Sequence, residues 1–247
     1  MSTFRTILSA ALVWMTALPA VAQSEAGLLL EAAAEKKISK KLNLEVEADL
    51  RTRNDFKTID RWSVGIGADY KLAKGLKVDA GYKLLNTNFR EDISYNANGS
   101  YNNWRPSYWG IKHRLYASLS GSYKVNNFKL SLRERWQYTY RPEKTVTRWD
   151  FDNEQWEDKV RSSKGKSQLR SRLQIEYDKK KATLTPFANV ELYNSMALDK
   201  IRYTLGTDIR LNKQHALSVF YRYQNARDND DDDPDMHYLG VGYKFKF

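Results

Sequence analysis

The sequence predicts an all-β chain: an antiparallel transmembrane β-barrel of the outer-membrane type with about 10–12 strands. Three observations predict it. Residues 238–247 alternate apolar and polar side chains and stop on Phe247, an aromatic carboxyl terminus of the kind expected to be taken up by the barrel-assembly machinery of a Gram-negative outer membrane. Apolar residues recur at every second position through most of the chain, whereas a helix would need spacings of three and four. Short turns alternate with long polar links, as in a barrel whose short turns lie on the periplasmic side and whose long loops face outward.

The elements follow in order. Arg5, a short apolar run over 6–18 and Pro19-Ala20-Val21-Ala22 read as a secretory signal peptide ending at residue 22, with 23–247 as one barrel domain. The run is about 13 residues, short of the roughly 20 that a spanning helix needs. A weak segment, 28–35, comes first. Leu42, Leu44, Val46, Ala48 and Leu50 then alternate with Asn43, Glu45, Glu47, Asp49 and Arg51. The same pattern occupies Trp62 to Tyr70 and Leu76 to Leu84, and returns at 109–125, 128–140, 168–177, 182–193, 201–210, 216–224 and 237–247. Most segments have about the 9–11 residues of a tilted membrane strand. They number eleven, against an even count for bacterial barrels. Either 28–35 is a partial strand or plug on a ten-stranded barrel, or a twelfth strand is hidden.

The short turns are 36–41, 72–75, 125–127, 178–181 and 211–214; the long links are 53–59, 86–108, 141–166, 194–200 and 225–235. Counted back from the last strand, every link falls on its expected side. The outward register holds one charge, Glu134, for which a β-bulge or a place near the outer rim is expected. Ser171 and Thr207 are milder exceptions, expected to bond the backbone.

Composition fits. A mean hydropathy of −0.71, with no later apolar run long enough for a helix, argues against a helical membrane protein but not against a barrel with a polar interior. Sixteen Tyr and seven Trp suit the aromatic girdles of two membrane interfaces. The absence of Cys excludes lipoprotein acylation, disulfides and thiolate metal sites.

The quoted strands also carry a resemblance. Glu35-Lys36-Lys37-Ile38-Ser39-Lys40-Lys41-Leu42, Glu45, Glu47, Leu50-Arg51-Thr52-Arg53, the run Leu132 to Tyr138 and the aromatic ending Val241 to Phe247 resemble the outer-membrane barrel family catalogued as domain of unknown function 2490. The resemblance spans essentially the whole of 23–247. It implies an outer-membrane barrel and brings no activity with it.

Function is sought in the lumen. The inward register collects the cations Arg51, Arg114, Arg133, Arg135, Arg170, Arg172, Arg202, Arg210 and Arg222. It also collects the anions Glu45, Glu47, Asp49, Asp69, Asp79, Glu176, Glu191 and Asp208. The leading expectation is a salt-bridged, largely filled lumen, with a structural or surface-interaction role carried by the loops. The alternative is a narrow, porin-like channel for small, anion-preferring solutes. A second alternative is a lipid-active enzyme, but the three histidines, His113, His215 and His237, with Ser107 or Ser195 as partners, show no spacing that demands catalysis. No enzyme and no cofactor are expected. The acidic run 228–235 lacks the glycine and closing Glu of an EF-hand loop, leaving loosely held divalent cations as its candidate ligand. A net charge of +11 is spread along strands and turns without a basic stripe. It suits anionic lipid headgroups and lipopolysaccharide phosphates rather than nucleic acid. The links 86–108 and 141–166 carry aromatics typical of binding surfaces.

Overall fold

The computed structural model describes residues 24–180, 182–227 and 234–247. The signal-peptide segment 1–22 and all but the last two residues of the acidic run 228–235 lie outside the described residues. Within them the chain forms fifteen strands and no helix. The first four are β1 (Glu25–Lys37), β2 (Leu42–Arg53), β3 (Thr58–Ala73) and β4 (Leu76–Phe89). Two short strands follow, β5 (Asp92–Tyr95) and β6 (Tyr101–Arg105), then the long pair β7 (Tyr108–Val125) and β8 (Phe128–Arg141). A second short pair, β9 (Lys144–Asp150) and β10 (Gln155–Arg161), precedes β11 (Lys164–Tyr177) and β12 (Leu184–Asn194). The chain closes with β13 (Leu198–Arg210), β14 (His215–Ala226) and β15 (Met236–Lys246).

Eleven strands make a closed barrel in the order β1-β15-β14-β13-β12-β11-β8-β7-β4-β3-β2. The even count expected from the sequence is therefore wrong, and 28–35 is neither plug nor fragment but the middle of a full strand. An up-and-down meander of odd number necessarily brings its first and last strands together in the same direction. β1 and β15 accordingly pair in parallel, from Glu25↔Met236 to Glu35↔Lys246. All other neighbours are antiparallel.

The alternation sorts side chains as the sequence requires. On β2, Leu44, Val46 and Ala48 are exposed on the outer wall, while Arg51 and Arg53 are buried in the lumen. The outer wall is mostly apolar, with Glu134 a charge in mid-strand. No bulge interrupts β8 at this residue, and it sits in mid-strand rather than at a rim, so neither expectation for it holds. Instead the Ser171 hydroxyl on the adjacent strand β11 donates to its carboxylate at 2.6 Å. Ser171 therefore serves a side chain, not the backbone. The Thr207 hydroxyl, also expected to bond the backbone, is buried without a hydrogen-bond partner.

The long links are not loops alone. Link 86–108 contains the end of β4 with β5 and β6; link 141–166 contains β9, β10 and the start of β11. The short strands form a second sheet in the order β10-β9-β6-β5. That order repeats the order β11-β8-β7-β4 of the wall beneath. Each short strand is separated from its barrel strand by two residues, Arg90-Glu91, Pro106-Ser107, Pro142-Glu143 and Ser162-Ser163. Two of these breaks hold a proline, which has no N–H to give a ladder. The sheet is thus a fin, a continuation of one side of the barrel wall above the long-loop rim. On it Ile93, Trp104, Trp149 and Trp156 stand in cross-strand register, one from each strand.

Candidate functional site in the barrel lumen

The lumen is divided. Its middle holds an ionic clasp and a buried apolar cluster. Glu191 on β12, 6% exposed, accepts from Arg133 at 2.7 Å and from Arg170 at 3.2 Å. Arg133 reaches it from two strands away, so the contact spans the inner wall rather than following one strand pair. Tyr193 donates to Glu191 at 3.1 Å and lies beneath the guanidinium groups of Arg170 and Arg202, at 4.5 and 4.7 Å from its ring centre. Arg202 donates in turn to the fully buried Gln224 at 2.6 Å. Beside this network Leu29, Phe220, Met236 and Tyr238 form a buried apolar cluster with Phe187 packed against it. Phe220 fits because its neighbours are bare: a Cβ on Gly240 would stand 2.1 Å from the Phe220 ring, and one on Gly206 2.5 Å from its Cβ.

Toward the short-turn end lies a cavity of about 410 Å³. Glu31, Glu45, Glu47 and Asp49 line it together with Lys83, Arg172 and Lys244. Several of its charges are paired. Lys83 pairs with Glu47 at 3.0 Å and Asp49 at 2.9 Å, and Lys244 with Glu35 and Glu45, both at 2.7 Å. Lower on the wall, Arg135 pairs with Asp79 at 3.1 Å and Lys129 with Glu176 at 3.0 Å; Ser118 donates to Asp79 and Ser218 to Asp208. Arg222 approaches Glu31 at 3.7 Å, and Asp69 accepts from Asn43 at 3.2 Å. Arg210 is exposed at the short-turn end of β13.

Toward the long-loop end lies a second cavity of about 200 Å³. One wall carries Arg51, Arg61, Lys112 and Arg114, and the other Arg141, Arg161, Lys164, Lys166 and Lys200. Among the described residues two carboxylates, Asp60 and Asp199, line it with them. Asp60 is held by Arg53 at 3.3 Å, and Asp199 by Gln168, by Ser195 at 2.6 Å and by Lys166 at 3.4 Å. Arg51 is 4% exposed, rests over the Tyr238 ring at 5.0 Å, and its Nε has no hydrogen-bond partner. The Nε of Arg61 is likewise buried without one. At the rim, Phe89 stacks on Tyr108 at 5.0 Å with Arg161 over both rings. Among the described residues none lines both chambers.

The sequence register thus gathered the lumen residues but not their division. It passed over Arg61, Lys112, Lys164, Lys166 and Lys200, all of which lie in phase with segments already read and a residue or more beyond the named cations. The histidines lie elsewhere. His113 is hydrogen-bonded to Tyr82 at 2.7 Å, His215 to Tyr243 at 2.6 Å, and His237 to Tyr221 and to Ser24 at 2.8 Å. Ser195 is engaged with Asp199. Asp235, the described end of the acidic run, accepts from the backbone of Ala226 at 2.6 Å and caps its own hairpin. Among the described residues no three His, Asp or Glu side chains gather as a metal site.

The model of a family described as "Protein of unknown function (DUF2490)" matches residues 26–234. No curated protein matches the chain. Among solved structures, the chain is similar to the beta domain of the Bordetella autotransporter Brka, at 12% identity over 84% of this chain and 82% of that one, with a TM-score of 0.51. This likeness is one of fold. A second similarity, to the CymD monoaromatic hydrocarbon channel, has 9% identity over 76% of this chain and 65% of that one, with a TM-score of 0.39.

Proposed function

This chain belongs to the DUF2490 family, described by its unknown function, and on that premise we propose that it is a closed outer-membrane barrel whose work is done at the cell surface. The observation that carries the proposal is the barred lumen: two cavities with no lining residue in common, and Glu191, Tyr193 and the Phe220 cluster between them. A barrel of this size lies near the eight-stranded case whose interior is filled by side chains, and well short of the open 16–18-stranded porins. In this reading the short Lys-rich turns face the periplasm and the fin stands outside, attached to the rim by four breaks. Its stripe of Ile93, Trp104, Trp149 and Trp156 offers an interaction surface, with Trp156 52% exposed. Tryptophan suits a half-wet boundary, so lipopolysaccharide and the outer-leaflet headgroups are the proposed partners. No catalytic step and no cofactor form part of the proposal.

The chain has no cysteine, so single-cysteine labelling in intact cells tests the orientation cleanly. Asn98→Cys, on the fin, should react with a membrane-impermeant maleimide in whole cells, and Lys40→Cys, on a short turn, only after permeabilisation. The reverse pattern, or protection of both sites in whole cells, would refute the surface role. A second reading, an anion-selective narrow channel, is favoured by the cations that predominate among the described residues lining the upper chamber. The two readings part on conductance.

A further inference from the structure

We propose that the barrel wall is open sideways between β7 and β8 at the long-loop end, and that this window receives the head of an anionic, single-chain amphiphile whose acyl tail lies along the outer wall. The window goes beyond the surface role above, and its test does not depend on which way the barrel faces. β7 and β8 are paired from Val125↔Phe128 up to His113↔Tyr140, where their ladder ends. β7 itself runs on through residues 108–112, held on its β4 side as far as Phe89↔Tyr108. The neighbouring strands of the fin, β6 and β9, meet at Trp104↔Trp149 and Asn103↔Asp150. The gap is therefore bounded at both ends by paired strands.

The residues explain the gap. The Ser122 amide of β7 donates to the Gly75 carbonyl just before β4, so even-numbered residues of β7 turn their backbone groups to β4 and odd-numbered ones to β8. Carried one step past His113↔Tyr140, the register sets Ile111 opposite Pro142, which has no N–H to give the Ile111 carbonyl. Next in line, the Trp109 carbonyl accepts from the Lys144 ammonium, a side chain in the place of a ladder bond. A cavity of about 410 Å³ occupies the gap. Trp109, Ile111 and His113 line it from the outward register of β7, and Phe89, Arg141 and Arg161 from the lumen side. Arg141 and Arg161 also line the upper chamber, so the window leads into it.

Position and lining choose the occupant. Trp109, Tyr138 and Tyr140 stand exposed on the outer wall beside the opening, at the level of rings that marks a membrane–water boundary. Ile111 and Leu115, also exposed, continue from it toward the middle of the wall as an apolar track for an acyl chain. On the lumen side the guanidinium groups of Arg141 and Arg161 suit carboxylate or phosphate oxygens through charge-assisted hydrogen bonds. Glu143 and Lys144 sit together at the lip. A molecule that meets both sides has one apolar tail and one anionic head. A long-chain fatty acid drawn from the bilayer is the compact member of that class; a small soluble anion would leave the apolar track bare.

The test uses residues 23–247 refolded into vesicles of zwitterionic phospholipid, with a long-chain fatty acid that carries a photoactivatable diazirine near its carboxylate. After irradiation, mass spectrometry should find the label concentrated in residues 108–113 and 141–144. The fatty alcohol bearing the same diazirine should label these segments about tenfold less, the equivalent of one lost charge-assisted bond, and Arg161→Gln should lower labelling by the acid to a similar degree. Pro142→Val, which restores an N–H opposite Ile111, should extend the ladder, slow amide exchange at Ile111 and lower the labelling. Val219→Ala, on the outer face of β14, should label as the unaltered protein does. If Pro142→Val fails to fold, Arg161→Gln decides alone. Label spread evenly around the outer wall would overturn the proposal. Equal labelling by acid and alcohol would overturn it too, as would equal labelling of the Arg161→Gln and unaltered proteins. The vesicles present the same lipid on both faces, so the surface role can fail in whole cells while the window stands, and the reverse.

Discussion

The two chambers of the lumen are built from the same alternating strands, yet among the described residues one is lined by carboxylates and cations in similar number and the other mostly by cations. At the short-turn end Glu31, Glu45, Glu47 and Asp49 meet Lys83, Arg172 and Lys244. There Lys83 alone is shared by two carboxylates within 3.0 Å. At the long-loop end, among the described residues, nine cations and two carboxylates line the cavity, with Asp60 held by Arg53 and Asp199 by Ser195. The first chamber is filling: its charges stabilise the wall by satisfying one another. An inward polar register says only that a residue faces the lumen; whether it is structural depends on which strands bring it a partner.

The comparison can be broken or sharpened by substitution, and the largest effect is expected at the clasp between the chambers. Glu191→Ala leaves Arg133 and Arg170 buried without their carboxylate and should cost about 3–5 kcal/mol of barrel stability, read as a lowered unfolding midpoint in denaturant. A change under about 1 kcal/mol would mean that the clasp is wet and relaxed. Next comes the wall itself. Leu173→Arg, on the exposed outer face, should cost up to about 2–4 kcal/mol or block assembly, whereas Gln174→Arg, facing the lumen beside Glu176, should be tolerated. Equal behaviour of the two would invert the register. The third test sets the chambers against each other. Lys83→Gln takes the shared ammonium from Glu47 and Asp49 and should destabilise by about 1–3 kcal/mol, while Arg51→Gln removes a buried guanidinium whose Nε has no acceptor and should be neutral or stabilising. Destabilisation by both would make the upper cations structural too. The smallest effect belongs to the fin. Trp156→Ala loses ring contacts with Trp104 and Trp149 and should cost about 1 kcal/mol at most, confined to the fin and visible as faster amide exchange in β9 and β10.

Much of the barrel was legible because period-two alternation is a local signal. The inward set from Glu45 to Arg51 and the outward set from Leu44 to Leu50 could be read from β2 alone. The eleven segments were also legible, and were doubted only because an even count was expected; parallel closure of β1 on β15 is a property of the whole ring that no single strand displays. Glu134 could not be understood from β8, since its partner Ser171 comes from a strand 37 residues away in sequence. The fin was missed because its strands run only four to seven residues and are interrupted at Pro106 and Pro142. The division of charge was invisible for the same reason as the pairing of Glu134. Arg133 meets Glu191, and Arg135 meets Asp79, across 58 and 56 residues of chain. A count of inward cations and anions pools what the fold separates.

The central claim is that the lumen is closed between its two chambers, and single-channel recording of refolded residues 23–247 in a planar bilayer tests it most directly. The account predicts no steady conductance from barrels shown to be folded by their heat-modifiable mobility, and the appearance of conductance when Phe220 and Tyr193 are both replaced by Ala. A reproducible, anion-preferring conductance in the unaltered protein would contradict it, and would make the arginines of the clasp the lining of a pore.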